Sequence, residues 1–214
     1  FIHKDNSGKL LHHTNTAFMP NGKSRNYILR NRLEVRCMYF APYVIHGDNA
    51  KKVPAQILPA SAEDLTATKG HPSWQTDWES EYLNKPSVDK FALKLEDGEL
   101  IALGAYQVSG RKAYVYILYV ESAPASNPTI TTSTRRKFYG IGEVMIAYGI
   151  KYSIDAGCRG DVVFDAKTDE LAQHYAKDFG AKLIPSAASG GPKRFMLADE
   201  DAWKLFSKYL EEEA

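Results

Sequence analysis

The sequence predicts an α/β fold: a mixed sheet, formed by an antiparallel meander and a parallel crossover, flanked by helices. Three stretches carry that prediction. Residues 113–120 (AYVYILYV) are apolar on both faces, with Ala113, Val115, Ile117 and Tyr119 on one and Tyr114, Tyr116, Leu118 and Val120 on the other. A strand of that kind is buried on both sides and belongs at the centre of a sheet. Further on, Ile141, Val144, Met145, Tyr148 and Tyr152 recur at offsets of 0, 3, 4, 7 and 11, which is one face of a helix. A short apolar run at 161–164 follows, so strand, helix and strand make a parallel crossover.

The remaining elements follow in chain order. Residues 1–31 are polar and aperiodic, whereas 32–40 alternate (Leu33, Val35, Cys37 and Tyr39 against Glu34, Arg36 and Met38) as a half-buried strand does. A turn at His46-Gly47-Asp48-Asn49 leads to a strand at 53–58. Residues 59–68 read as a turn and short helix, with Ser61 as its cap before Glu63 and Asp64. Residues 72–83 are expected to be a second helix, with Trp74, Trp78 and Tyr82 along one face. Strands at 91–95 and 100–108 flank Asp97-Gly98, a hairpin signal, and Ser109-Gly110 turns the chain into the central strand. The connection 122–134, rich in Pro, Ser and Thr, predicts a surface excursion: a lid, an acceptor-selecting loop or a tolerated insertion. After the helix that ends near Gly157, another at 169–179 is expected to turn Leu171, Ala172, Tyr175, Ala176 and Phe179 inward. Closing strands at 182–184 and 194–197 precede a last helix, capped by Asp199, with Trp203, Phe206 and Leu210 facing the core and Glu211 to Glu213 solvated.

Composition is that of a globular protein without an apolar run approaching the roughly 18 residues of a membrane span. Cys37 and Cys158 fit neither a metal nor a redox spacing; reduced core thiols, and a cytoplasmic location, are expected. The chain begins at Phe1 rather than Met, which leaves a removed leader open. Charge divides unevenly: residues 1–52 hold nine Lys/Arg against three Asp/Glu, and the remainder eighteen against twenty-three. A basic arm can meet nucleic acid, or dock on the acidic remainder of its own chain. Residues 1–52 are therefore read as a basic N-terminal extension and 53–214 as the folded domain.

Chemistry concentrates at Arg135-Arg136-Lys137-Phe138-Tyr139-Gly140-Ile141-Gly142. Two glycines leave amide N–H groups uncovered where a helix begins. The orphan donors of a first turn carry partial positive charge, and three cations stand beside them: a phosphate site. Lys137-x-x-Gly140-x-Gly142 after a central strand resembles the acetyl-coenzyme A pyrophosphate loop of the GNAT N-acetyltransferase family. The stretch from Asp169 through Ala172, Tyr175 and Ala176 to Gly180 resembles that family's later helix, and Ile57-Leu58-Pro59 through Leu65 its opening strand and turn. The likeness spans roughly residues 53 to 197.

The resemblance implies a GNAT-like mixed sheet, splayed after its central strand, and acetyl-CoA as cofactor. It implies that Tyr119, Val120 and residues Arg135, Arg136, Lys137, Phe138, Tyr139, Gly140, Ile141 and Gly142 bind that cofactor. The activity implied is N-acetyl transfer to a primary amine, of a small molecule or a protein, by direct attack in a ternary complex. Glu121, ending the central strand, is then either the general base or a strand-end carboxylate facing water. Tyr175 is the acid or a buried aromatic; the family's usual Tyr position holds Ala176 here, and Asp169 replaces its usual Asn. Trp74 and Trp78 are core residues or line the acceptor cleft. Two alternatives stand beside this reading: a cofactor-binding module without turnover, and an RNA- or tRNA-directed acetyltransferase using the basic arm. A monomer or homodimer is expected, with no membrane partner.

Other chemistries lack their residues. Gly140-x-Gly142-x-x-Met145 has no third glycine, and neither G-x-x-x-x-G-K-[ST] nor G-x-S-x-G occurs. His12 and His13 are adjacent in the polar arm and the other histidines lack ligand spacing, so no metal is expected.

Overall fold

The computed structural model describes residues 2–4, 10–12, 27–31, 34–130, 135–185 and 191–212, with side chains described from residue 38 onward. The chain opens with β1 (Ile2–Lys4), β2 (Leu10–His12), β3 (Tyr27–Asn31) and β4 (Glu34–Phe40), then β5 (Tyr43–His46), β6 (Lys52–Pro59) and α1 (Ala62–Ala67). The meander is β7 (Asp89–Leu95), β8 (Leu100–Ser109) and β9 (Tyr114–Ser122). It is followed by β10 (Phe138–Tyr139), α2 (Ile141–Asp155), β11 (Val162–Ala166) and α3 (Asp169–Asp178). β12 (Lys182–Ile184), β13 (Lys193–Leu197), α4 (Asp199–Ser207) and β14 (Leu210–Glu212) complete it. Nine strands form one sheet in the order β10-β5-β6-β7-β8-β9-β11-β13-β12, and β1-β2-β3-β4-β14 form a second. The central strand is β9, antiparallel to β8 and parallel to β11. The α/β class, the meander and the crossover are as the sequence predicts.

Two apolar layers cover the large sheet. Val115, Ile117, Val162, Phe164 and Leu197 join α2 and α4 in the main core. Trp78, Leu83, Ala92, Leu103 and Ala105 form a smaller cluster, against which Leu118 and Tyr119 rest. Along α2, Val144, Met145, Ala147, Tyr148 and Ile150 are buried, so the helix is enclosed rather than one-sided. Ser61 and Asp64 close a reciprocal capping box on α1.

One irregularity shapes the site. Ala105 pairs with Tyr119 but Tyr106 pairs with Ile117, so Leu118 is an extra residue, a bulge on β9. Such a bulge bends its strand and ends regular pairing. The parallel ladder to β11 runs only from Val115 to Ile117, opposite Val162 to Phe164. Beyond the bulge β9 follows β8, while Asp165 and Ala166 of β11 stay with β13. The two parallel strands therefore part at their carboxyl ends.

Several expectations need correction. Residues 72–83 are turns and bends, not a helix. The backbone N–H groups of Gln75 and Thr76 donate to the Glu121 carboxylate, so those donors are withdrawn from any helical ladder. Leu171 and Ala176 face outward; a stripe of Ala172, Tyr175 and Phe179 suffices to seat α3 against β11 and β13. Ala198, not Asp199, is the N-cap of α4. Leu210 and Glu211 belong not to that helix and its tail but to β14, which pairs with β4. β5, upstream of residue 53, pairs with β6 and β10 inside the large sheet. The side chains of the basic arm up to residue 37 lie outside the described residues.

Candidate active site

The approach to α2 is held from two sides. β10 pairs with β5, Phe138 opposite His46 and Tyr139 opposite Ile45. Lys137 N donates to Ala125 O (3.0 Å) and Phe138 N to Ser126 Oγ (3.0 Å), which ties the loop to the chain leaving β9. The start of α2 thereby stands beside the carboxyl end of β9, where the sheet opens. In open α/β sheets, the crevice outside the carboxyl ends of the strands is where ligands sit.

The helix opening itself carries no side-chain cap. Gly140 is the N-cap in a left-handed conformation (φ 80°), which glycine adopts without strain. Among the described residues, a Cβ built on Gly140 or Gly142 would meet no atom within 4 Å. First-turn amides for which, among the described residues, no side chain supplies an acceptor suit an anion. The neighbouring cations are placed differently from the sequence expectation. Lys137 Nζ binds both oxygens of Glu99 (2.6 and 2.7 Å), and Arg135 pairs with Asp48 (3.1 Å). They fasten the loop to the tips of two hairpins. Arg136 lies over the Tyr139 ring at 5.5 Å and, among the described residues, has no carboxylate partner. Phe138 and Ile141 are buried and support the loop from beneath; Tyr139 is exposed.

At the opening of the sheet, Tyr119 receives the edge of Trp78 (5.9 Å between centroids, 90°) and carries Lys167 Nζ at 3.4 Å over its ring. Lys167 follows β11 directly, so its side chain crosses the gap between the parting strands. Val120 turns to the other face and packs on the main core.

Glu121 is not a carboxylate facing water: it is 5% exposed. Its Oε1 accepts from Gln75 N (2.6 Å), and Oε2 accepts from Thr76 N and Trp78 Nε1 (both 3.2 Å). Trp78 is buried and Trp74 half-buried, beside the small apolar cluster. Tyr175 packs among Phe164 (4.8 Å), Phe179 and Phe195 on the α3 side, and burial pushes its phenol up. Glu121 and Tyr175 thus project from opposite faces of the sheet, and the structure does not bring them together. Sequence reasoning missed Gln75, Lys167 and Thr129. Each acts through a partner on a distant element, and no local pattern marks such a pairing.

This architecture defines an α/β class with a bulged central strand, a wedge between two parallel strands and a glycine-opened helix beside it; the last two are features the GNAT resemblance implied. Family models and curated proteins yielded no match to this chain. Among solved structures, the chain is similar to spermidine N-acetyltransferase from Vibrio cholerae in complex with CoA and spermine, at 12% identity, 70% of this chain, 98% of that chain and a TM-score of 0.49. It is also similar to histone acetyltransferase HPA2 and related acetyltransferase from Corynebacterium glutamicum, at 16% identity, 66% and 94% coverage and a TM-score of 0.41. At these values the likeness carries neither a reaction nor an acceptor to this chain.

Proposed function

We propose that the protein is an acetyl-CoA-dependent N-acetyltransferase acting on a primary amine by direct attack in a ternary complex. The observation that supports this best is the juxtaposition of the uncapped Gly140–Gly142 amides with the wedge between β9 and β11. The first would hold a diphosphate, and the second would admit an extended arm along the strand edge at Tyr119 and Val120 once the exposed Lys167 side chain swings off Tyr119. The thioester of acetyl-CoA supplies an activated acyl carbon. On the protein side, Phe138 and Ile141 hold the loop and Arg136 adds the nearest uncommitted guanidinium. The loop 72–84 and Trp78 wall the acceptor side. An acceptor amine with an ordinary pKa of about 10 must lose a proton before attack. Holding both reactants in one cleft supplies much of the acceleration in such transfers.

The test is calorimetric and kinetic. CoA is expected to bind, and acetyl-CoA to release thiol with at least one amine of a panel comprising spermidine, tyramine and a lysine-ended peptide. Gly142→Asp places a carboxylate in open space, so the fold is kept while CoA affinity falls about tenfold or more, near 1.4 kcal/mol. Unaltered CoA affinity in that variant removes the loop assignment. Binding without thiol release across the panel would favour the module without turnover, to which the outward-facing Ala176 lends support.

A further inference from the structure

We infer that Glu121 is a positioning residue: it fastens the loop 72–84 to the end of β9 and so sets the acceptor subsite, rather than taking the acceptor's proton. This rests on the N-acetyltransferase reading above. A carboxylate offers about four lone-pair sites. Three here accept from Gln75 N, Thr76 N and Trp78 Nε1, all on a loop 43 to 46 residues away in sequence. Among the described residues those two backbone donors have no other acceptor. An ammonium approaching Glu121 would have to displace charge-assisted hydrogen bonds to a buried carboxylate. Leaving the buried Glu121 carboxylate without these donors is costly, so the three bonds select one loop conformation.

The bonds extend outward from Glu121. Trp78, held by its indole N–H, sets its edge on Tyr119, and Lys90 Nζ donates to Trp78 O (2.8 Å) and to Asn84 Oδ1 (2.7 Å). Gln75 Oε1 lies 2.8 Å from Thr129 Oγ1, which is also 2.7 Å from Asn127 Oδ1, so the hydroxyl donates to one or the other. Thr129 belongs to the connection whose Ala125 and Ser126 hold Lys137 and Phe138. One carboxylate thus locks the loop 72–84 against the same segment that supports the anion loop. Of the three roles open to 122–134, this contact favours acceptor selection.

The experiment compares Glu121→Gln, Trp78→Phe and Thr129→Val with the wild type in the full-length chain, using the amine of the panel acetylated fastest. In Glu121→Gln the amine KM should rise about tenfold while kcat at saturating amine stays within about threefold. The acetyl-CoA KM should change little, and the acidic limb of the kcat/KM profile should persist. Trp78→Phe and Thr129→Val should raise amine KM by smaller factors, and amide exchange at Gln75 and Thr76 should quicken in Glu121→Gln. A general base would instead lose kcat by about 100-fold or more with amine KM unchanged and the acidic limb abolished, and that result overturns the inference. Should Glu121→Gln fail to fold, the other two variants decide: unchanged amine KM in both overturns it. Should the wild type release no thiol with any amine, the transferase reading fails separately. Amide exchange then still tests the anchor, and unaltered rates at Gln75 and Thr76 in Glu121→Gln refute it.

Discussion

Asp165 sits on β11 between two partners that define its charge. Tyr116 donates to it at 2.6 Å, and Arg194 binds both its oxygens at 2.7 and 2.9 Å. Burial alone would raise its carboxyl, but Arg194 and Tyr116 outweigh that and hold it below the ordinary value of 3.8. A group whose pKa falls on folding binds fewer protons when folded, so its contribution is complete above the ordinary value and disappears as pH falls through the folded one. Asp165→Asn should cost about 1–2 kcal/mol at neutral pH, since Arg194 is half-exposed and the pair is partly screened. The difference from the wild type should shrink in chemical-denaturation curves as pH falls below 3.8 and vanish once the folded carboxyl is itself protonated. At this scale the sequence is selectively readable. Gly140 and Gly142 announce themselves, because a glycine pair at a helix start has a local cause. Glu121 does not, since its partners lie 43 or more residues away.

The anion loop depends on a neighbouring hairpin as much as on its own residues. Gly47, in the turn between β5 and β6, donates its N–H to Lys137 O at 2.8 Å. A Cβ there would fall 2.0 Å from Arg136 O, a backbone atom that cannot swing aside. Gly47→Ala should therefore displace the loop and lower CoA affinity by about tenfold or more, although residue 47 contacts no part of the proposed ligand. Unchanged binding in calorimetry would show that the loop does not need this support. The turn at 46–49 was legible in the sequence, but its clamp on residues 90 positions further along was not. The same holds for the other elements. The period of α2 and the two apolar faces of β9 are local and strong. The bulge at Leu118 follows from registers on two neighbouring strands, and the 72–83 segment carries helical spacing that Glu121 overrides by capturing its amides.

Over the whole molecule, the order of strands from β6 to β11 could be read from turn signals and from the rule for parallel crossovers. The pairing of β5 with β10 and of β14 with β4 could not, because each joins chain segments roughly 90 or more residues apart with no intervening signature. The β5–β10 pairing also brings Asp48 to Arg135, while Glu99, in the turn between β7 and β8, meets Lys137. Arg135 and Lys137 are thereby paired at the surface, which under the proposed reading leaves the amides and Arg136 for a diphosphate. Dissolved electrolyte screens only what is uncompensated. Titrations of CoA in rising potassium chloride should show a shallow loss of affinity, steeper in a variant carrying Asp48→Asn and Glu99→Gln, whose cations are unpaired. Tolerance of ionic strength, if the titration shows it, would be owed to two acidic turns rather than to the cradle itself.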